Sequence, residues 1–310
     1  MTAVAQETLP GPWGFDNGYQ LRVLATRATG KFDVTEIIQP DAHFVIKTSD
    51  NASAQADLGN SVAWTKWIES QRPHSFHVPH TIAELSATEN GQLATPMAHI
   101  TWVDGAQPKE DELIGVVPRY VDVIQELAAI QVEWAGDAAA WTRQKLHTAG
   151  SIVLSHIANK LLVVGLEDVI DSDAFDCIKA GVVHGDLAPK NTIIDKTGKL
   201  WLLDAEFGTH GYRPEFAVPR TRDAAYLLHL LHCQYQQPEA GETLLSELIS
   251  RFGDDNTWEQ EFWLATLERT LTMFRLFVVN RPDGPTIDQR RLNPAPYLHL
   301  LRTSIEHLDI

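Results

Sequence analysis

A chain of 310 residues has room for two packed units, and 44% hydrophobic with 21% charged residues is the mix of an ordinary folded protein, which excludes wholesale disorder. The net charge of −16 argues against a nucleic-acid partner, which needs clustered Lys and Arg; it would suit a cationic small molecule, although acidity also serves solubility alone. No apolar run is long enough to span a membrane, no signal peptide is evident, and two cysteines, Cys177 and Cys233, fit a reducing cytoplasm better than a disulfide framework.

Residues 19–25 and Asp33–Ile38 read as strands around a turn containing Gly30, and His43–Thr48 as a third strand ending near Lys47. A helix is predicted over 58–69, stopping before Pro73. Two more strands, 81–87 and 93–103, follow around the turn Glu89-Asn90-Gly91. Beyond Gly105 the period becomes helical. Pro118 is expected in a first turn, with Tyr120, Ile124, Leu127, Ile130 and Trp134 on one face. Leu146, Val153, Ile157, Leu161 and Val164 share the face of another helix, which is expected to end at Gly165. Further helices are predicted over 223–235, 242–252 and 258–279. The outline is a small β-rich unit, 1–105, followed by a mainly helical one, 106–310, in the α+β class.

The chemistry concentrates in Val182-Val183-His184-Gly185-Asp186-Leu187-Ala188-Pro189-Lys190-Asn191. Two short apolar runs, 192–194 and 200–203, flank the turn Lys196-Thr197-Gly198-Lys199 and make a β-hairpin. Its two ends bring Asp186 and Asn191 close to Asp204. An amide oxygen and a carboxylate are hard oxygen ligands of the kind Mg²⁺ prefers. A separate carboxylate, Asp186, would orient an attacking hydroxyl and take its proton, which is the division of labour that phosphoryl transfer requires. A lone His-Gly-Asp would be an ordinary turn; three polar residues at fixed offsets in a strand-turn-strand context are more specific.

The segment from His184 to Asn191, with Asp204 after it, resembles the catalytic and metal-binding loops of the aminoglycoside phosphotransferase family of small-molecule kinases. The resemblance implies a protein-kinase-like bilobal fold with a nucleotide-binding N-lobe and a helical C-lobe that holds the acceptor. It implies Asp186 as base, Asn191 and Asp204 as Mg²⁺ ligands, His184 as support for the loop, and Lys190 as a candidate to neutralise the γ-phosphate. Phe44-Val45-Ile46-Lys47 is similar to the kinase strand whose lysine meets the α and β phosphates. Thr101 and Val103 would offer backbone groups to the base of ATP or GTP, and Gly30 belongs to the phosphate-covering turn. Asp223 resembles the aspartate that ties down the catalytic loop, although a plain helix N-terminal carboxylate would read the same way.

Two departures matter. The turn at Gly30 has one glycine instead of three, and the glutamate expected on the first helix to pair with Lys47 falls at Ser61. The implied activity is transfer of a phosphoryl group from ATP or GTP to a small-molecule hydroxyl. The alternative is a nucleotide-binding regulatory pseudokinase without turnover. Carboxylates at 133, 137, 254, 255, 259 and 261 are candidates for the acceptor site on charge alone. His74, His77 and His80, and likewise His229, His232 and Cys233, read better as packing or solvated side chains than as metal sites.

Overall fold

The computed structural model describes residues 20–25, 33–38, 43–48, 52–85, 88–89, 92–93, 97–101, 103–205, 217–255, 257–280 and 289–308. The expected turn at Gly30 lies outside them. Strands β1 (Gln20–Ala25), β2 (Asp33–Ile38), β3 (His43–Thr48), β4 (Thr81–Leu85) and β7 (Met97–Thr101) form an antiparallel sheet in the order β1-β2-β3-β7-β4, and β5 (Thr88–Glu89) pairs separately with β6 (Gln92–Leu93). The register sets Val34 opposite Lys47 and Phe44 opposite Thr101. Helix α1 (Ala52–Gln71) begins six residues before the predicted start, and its buried stripe Leu58, Val62, Trp64 and Ile68 explains why it holds as one helix despite its polar composition.

A second, three-stranded sheet positions the catalytic candidates. It consists of β8 (Gly105–Ala106), β9 (Thr192–Asp195) and β10 (Leu200–Leu202), in the order β10-β9-β8. The predicted hairpin is present, turned by Gly198 at φ 82°. A side chain at position 105 would run into the backbone of Ile194, so the close approach of β8 to β9 depends on a glycine there. The backbone of His77 adds to the other edge: its N–H donates to Leu200 O and its carbonyl accepts from Leu202 N, each at 2.8 Å.

The rest is helical: α2 (Leu113–Ala129), α3 (Ala138–Val153), α4 (Lys160–Asp171), α5 (Arg222–His229), α6 (Pro238–Phe252), α7 (Trp258–Phe274) and α8 (Pro294–Leu308). Leu113, Val117, Tyr120, Ile124 and Leu127 form the buried face of α2. That helix starts earlier than expected, so Pro118 lies inside it, and it ends before Ile130 and Trp134. The single helix expected through Val164 is two. Ile157 is extended, and the Asn159 side chain accepts from the N–H groups of Leu161 and Leu162, restarting the chain as α4. Leu161 is consequently 85% exposed instead of core, and Gly165 sits mid-helix against Ile305. Helix α7 is the centre of this half, packed against α3, α5 and α8. Among the described residues no helix is long and apolar enough to cross a membrane.

Candidate active site

The segment 182–191 is buried except for Lys190 and leads directly into the hairpin at β9. Its backbone is fixed by Asp223 in the first turn of α5. His184 N–H donates to Asp223 Oδ2 at 2.6 Å and Gly185 N–H to Oδ1 at 2.8 Å. Burial raises the Asp223 carboxyl above its ordinary range, while those two donors and the neighbouring His184 and Arg222 oppose the rise. Gly185 has φ 84°, a left-handed conformation that glycine tolerates. His184 Nε2 lies 2.9 Å from the Leu203 carbonyl oxygen, and its ring meets Trp64 of α1 edge-on with centroids 5.4 Å apart. The loop is therefore clamped from α5, from β10 and from α1.

Asp186 emerges from this loop. Asn191 Nδ2 donates to its Oδ2 at 2.7 Å and to its backbone carbonyl at 2.9 Å, and Lys190 Nζ lies 3.0 Å from the same Oδ2. Burial pushes the Asp186 carboxyl up, but the Lys190 ammonium, the Tyr226 hydroxyl and His184 outweigh it and hold the group below its ordinary value. It is ionised at neutral pH. Tyr226 on α5 was not singled out by the sequence, although the helical i, i+3 spacing from Asp223 puts both residues on the side of α5 that faces the loop. Gln107, next to β8, donates to the Lys190 carbonyl at 2.5 Å.

Asp204 follows β10 with φ 55°, a conformation uncommon for a residue with a side chain and concentrated at functional sites. Leu203 N–H donates to the Asn191 carbonyl at 2.8 Å, so Asp204 and Asn191 are brought side by side across the hairpin. Asn191 spends its amide nitrogen on Asp186, which leaves its side-chain oxygen as the end able to meet a cation. Asp204 keeps 47% of its side chain exposed. Two hard oxygens on adjacent, firmly held backbones suit Mg²⁺.

Lys47 reaches across from β3 and pairs with Asp204 Oδ1. Burial lowers its pKa to about 8. Helix α1 lines the cavity shared with Lys47 through Leu58, Ser61, Val62, Trp64 and Thr65, none of them a carboxylate. That cavity, about 260 Å³, is walled by Val34, Val45, Val103 and Leu202 on its apolar side and by Lys47 and Asp204 on its polar side. Thr101, at the end of β7, leads the chain to Val103 at its edge.

Other candidates are drawn elsewhere. Glu261 is fully buried beneath Arg220, 3.0 Å away, and burial lifts its pKa to about 7; Asp255 takes a second contact from Arg220 at 2.7 Å. Asp137 caps α3 by accepting from Ala140 N–H. The three spaced histidines part company: Glu126 accepts from the His74 N–H, His77 joins β10 through its backbone, and His80 faces Glu69. Among the described residues no cluster of three His, Cys, Asp or Glu side chains is arranged for a metal ion.

The family model described as phosphotransferase enzyme family matches residues 28–249. The GDP complex of wild-type aminoglycoside 2'-phosphotransferase-IIIa aligns with TM-score 0.61 at 13% identity, covering 94% of each chain. A thermostable aminoglycoside phosphotransferase mutant bound to ADP and hygromycin B gives 0.60 at 9% identity, over 93% of this chain and 94% of the other. A microcompartment-associated aminopropanol kinase gives 0.55 at 11% identity, over 94% and 92%. These likenesses show a protein-kinase-like fold. No curated protein sequence matches the chain.

Proposed function

Because the chain belongs to the phosphotransferase enzyme family, and is by that membership a small-molecule kinase, we propose that it moves the γ-phosphoryl group of ATP or GTP onto a hydroxyl of its acceptor. The observation that carries this reading is the pairing of a buried, ionised Asp186 with Asn191 and Asp204 across one hairpin. In it, residues 1–105 and 106–310 act as two lobes, and the nucleotide base lies against Val34, Val45, Val103 and Leu202. Lys47 holds the α and β phosphates, and Lys190 meets the γ-phosphate. Asn191 and Asp204 are the residues that would hold Mg²⁺, and that ion, when bound, neutralises charge on the phosphate oxygens. Asp186 accepts a hydrogen bond from the acceptor hydroxyl, aligns its oxygen and takes its proton as the new bond forms. His184 and Asp223 keep the loop rigid while this happens. Similar proteins in complex with GDP or ADP support a nucleotide as donor.

The test is Asp186→Asn, which keeps size and shape but removes the basic oxygen. Acceptor-dependent ADP or GDP release should fall by about 10²–10⁴-fold, with nucleotide affinity nearly unchanged. Turnover at the wild-type rate would end the assignment of Asp186. A wild type that binds nucleotide but phosphorylates nothing on a broad panel of alcohols would favour the regulatory reading, which the missing carboxylate at Ser61 motivates.

A further inference from the structure

On the helical side of Asp186 two arginines, Arg269 and Arg291, are held against aromatic rings. The Tyr226 hydroxyl favours the Asp186 carboxylate and is itself acted on by the Arg269 guanidinium of α7. Arg269 Cζ lies 4.0 Å from the centre of the Tyr226 ring. Arg291, just before α8, stacks on Phe277 with Cζ at 5.0 Å and influences Tyr235, which also feels Asp186. Both arginines act on one buried imidazole, His229, which burial and then these two cations and His232 hold well below the ordinary histidine range. Tyr297, its ring 5.3 Å from that of His229, donates its hydroxyl to the Arg291 carbonyl at 3.0 Å, so both arginines approach the side of α5 that carries Tyr226 and His229.

The anions nearby are already taken. Asp186 is paired with Lys190 at 3.0 Å, and both Glu110 oxygens are engaged by Arg290 at 2.9 and 3.0 Å. Arg269 and Arg291 meet no carboxylate among the described residues, and the Nε of each is buried without a hydrogen-bond partner there. An aromatic face holds a guanidinium in place without cancelling its charge. Two part-buried cations that meet no carboxylate among the described residues are the arrangement that recognises an anion through charge-assisted hydrogen bonds.

We propose that the acceptor carries an anionic group, a carboxylate or a phosphate, which Arg269 and Arg291 bind while its hydroxyl meets Asp186. This rests on Asp186 being the base, and it separates the chain from kinases whose acceptors are polycations, because ammonium groups placed between these guanidiniums would be repelled.

The experiment has a binding arm and a turnover arm. With Mg²⁺ and ADP present throughout, calorimetric titrations use glycerate, glycerol 3-phosphate, glycerol, choline and kanamycin. Glycerate or glycerol 3-phosphate should bind and the other three should not; which of the two is preferred distinguishes carboxylate from phosphate. Arg269→Gln and Arg291→Gln should each weaken that binding by about 10- to 100-fold, the range for a lost charge-assisted hydrogen bond. Arg269→Lys should restore part of it. In turnover the Gln variants should raise KM with little change in kcat. Their melting temperatures without acceptor should equal or exceed wild type, whereas a structural role for either arginine would lower them. The proposal is overturned if neither anion binds, if both bind the Gln variants as tightly as wild type, or if kanamycin or choline binds in preference. Arginine-dependent anion binding without phosphorylation of any alcohol would instead overturn the phosphotransfer reading and leave the anion site standing.

Discussion

The two walls of the cleft are built on different terms. On the helical side, the 182–191 loop is closed on itself: Asp223 takes two of its N–H groups, Asn191 anchors Asp186, and His184 is bonded to Leu203. On the sheet side, Lys47 stands on β3 opposite Ser61, and its counter-charge is Asp204 from the other wall. One wall carries its geometry in hydrogen bonds within a few elements. The other has its charge set by a contact across the cleft, and Asp204 is also the residue proposed to bind the cation. Lys47 and a cation then compete for the same carboxylate, so the sheet wall should respond to ligand and pH while the helical wall does not.

The largest effect should follow from breaking the rigid wall. Asp223→Ala leaves the His184 and Gly185 N–H groups buried without an acceptor, and each such donor costs about 1–3 kcal/mol. A loss of at least about 2 kcal/mol in denaturant unfolding is expected, even after relief of a buried carboxylate, together with loss of turnover. Unchanged stability would mean that the loop finds its shape without α5.

A smaller and reversible effect is expected at Lys47. Its pKa of about 8 means that the charge proposed to hold the phosphates is lost as pH rises through that value. Nucleotide affinity should weaken by up to about tenfold per pH unit above the midpoint. Stability should move the other way. Between about 8 and the ordinary lysine value of about 10.4 the unfolded chain holds the extra proton, so the penalty of burying this lysine is relieved as pH rises. Binding titrations from pH 7 to 9.5 on wild type and Lys47→Arg provide the check. The arginine variant stays charged and should show a flat profile, and a flat profile in wild type would contradict the assignment.

The smallest change sharpens the contrast by erasing it. Ser61→Glu puts a carboxylate from α1 into the cavity beside Lys47, where it should draw the lysine away from Asp204 and raise its midpoint. An ion pair of this kind is worth about 1 kcal/mol or less, a few-fold in nucleotide affinity. A midpoint that stays near 8 would show that position 61 does not address Lys47.

The rigid wall was also the legible one. Residues 182–204 hold apolar runs, a Gly198 turn and polar residues at offsets that a hairpin fixes locally, so sequence spacing alone brings Asp186, Asn191 and Asp204 together. The Lys47–Asp204 contact joins elements far apart in the chain and leaves no local pattern. Periodicity failed where it continued smoothly through a break: Leu146 to Val164 keeps a helical rhythm, but Asn159 offers its side chain to the next two N–H groups and restarts the helix. Pro118 suggested a helix start because a first turn accepts it, yet buried Leu113, Val116 and Val117 extend α2 in front of it. Helix α8 went unread although Tyr297, Leu300, Leu301, Ser304 and Leu308 mark its buried face. Arg269 and Arg291 lie on separate elements, and no local pattern in the sequence links them.

The seam between the two sheets bears on how the chain can be synthesised. When the ribosome has released the first hundred or so residues, His77 and Gly105 have nothing to pair with, because their partners are Leu200, Leu202, Ile194 and Asp195. At about 5–20 residues per second the missing hairpin arrives roughly 5–20 s later. Through that interval the backbone edges at 77 and 105 remain open to solvent, to chaperones and to one another's copies on neighbouring ribosomes. A nascent chain stalled before residue 202 would therefore expose two unsealed edges, and the cleft that Lys47 and Asp204 line would come into being late, in a single closing event.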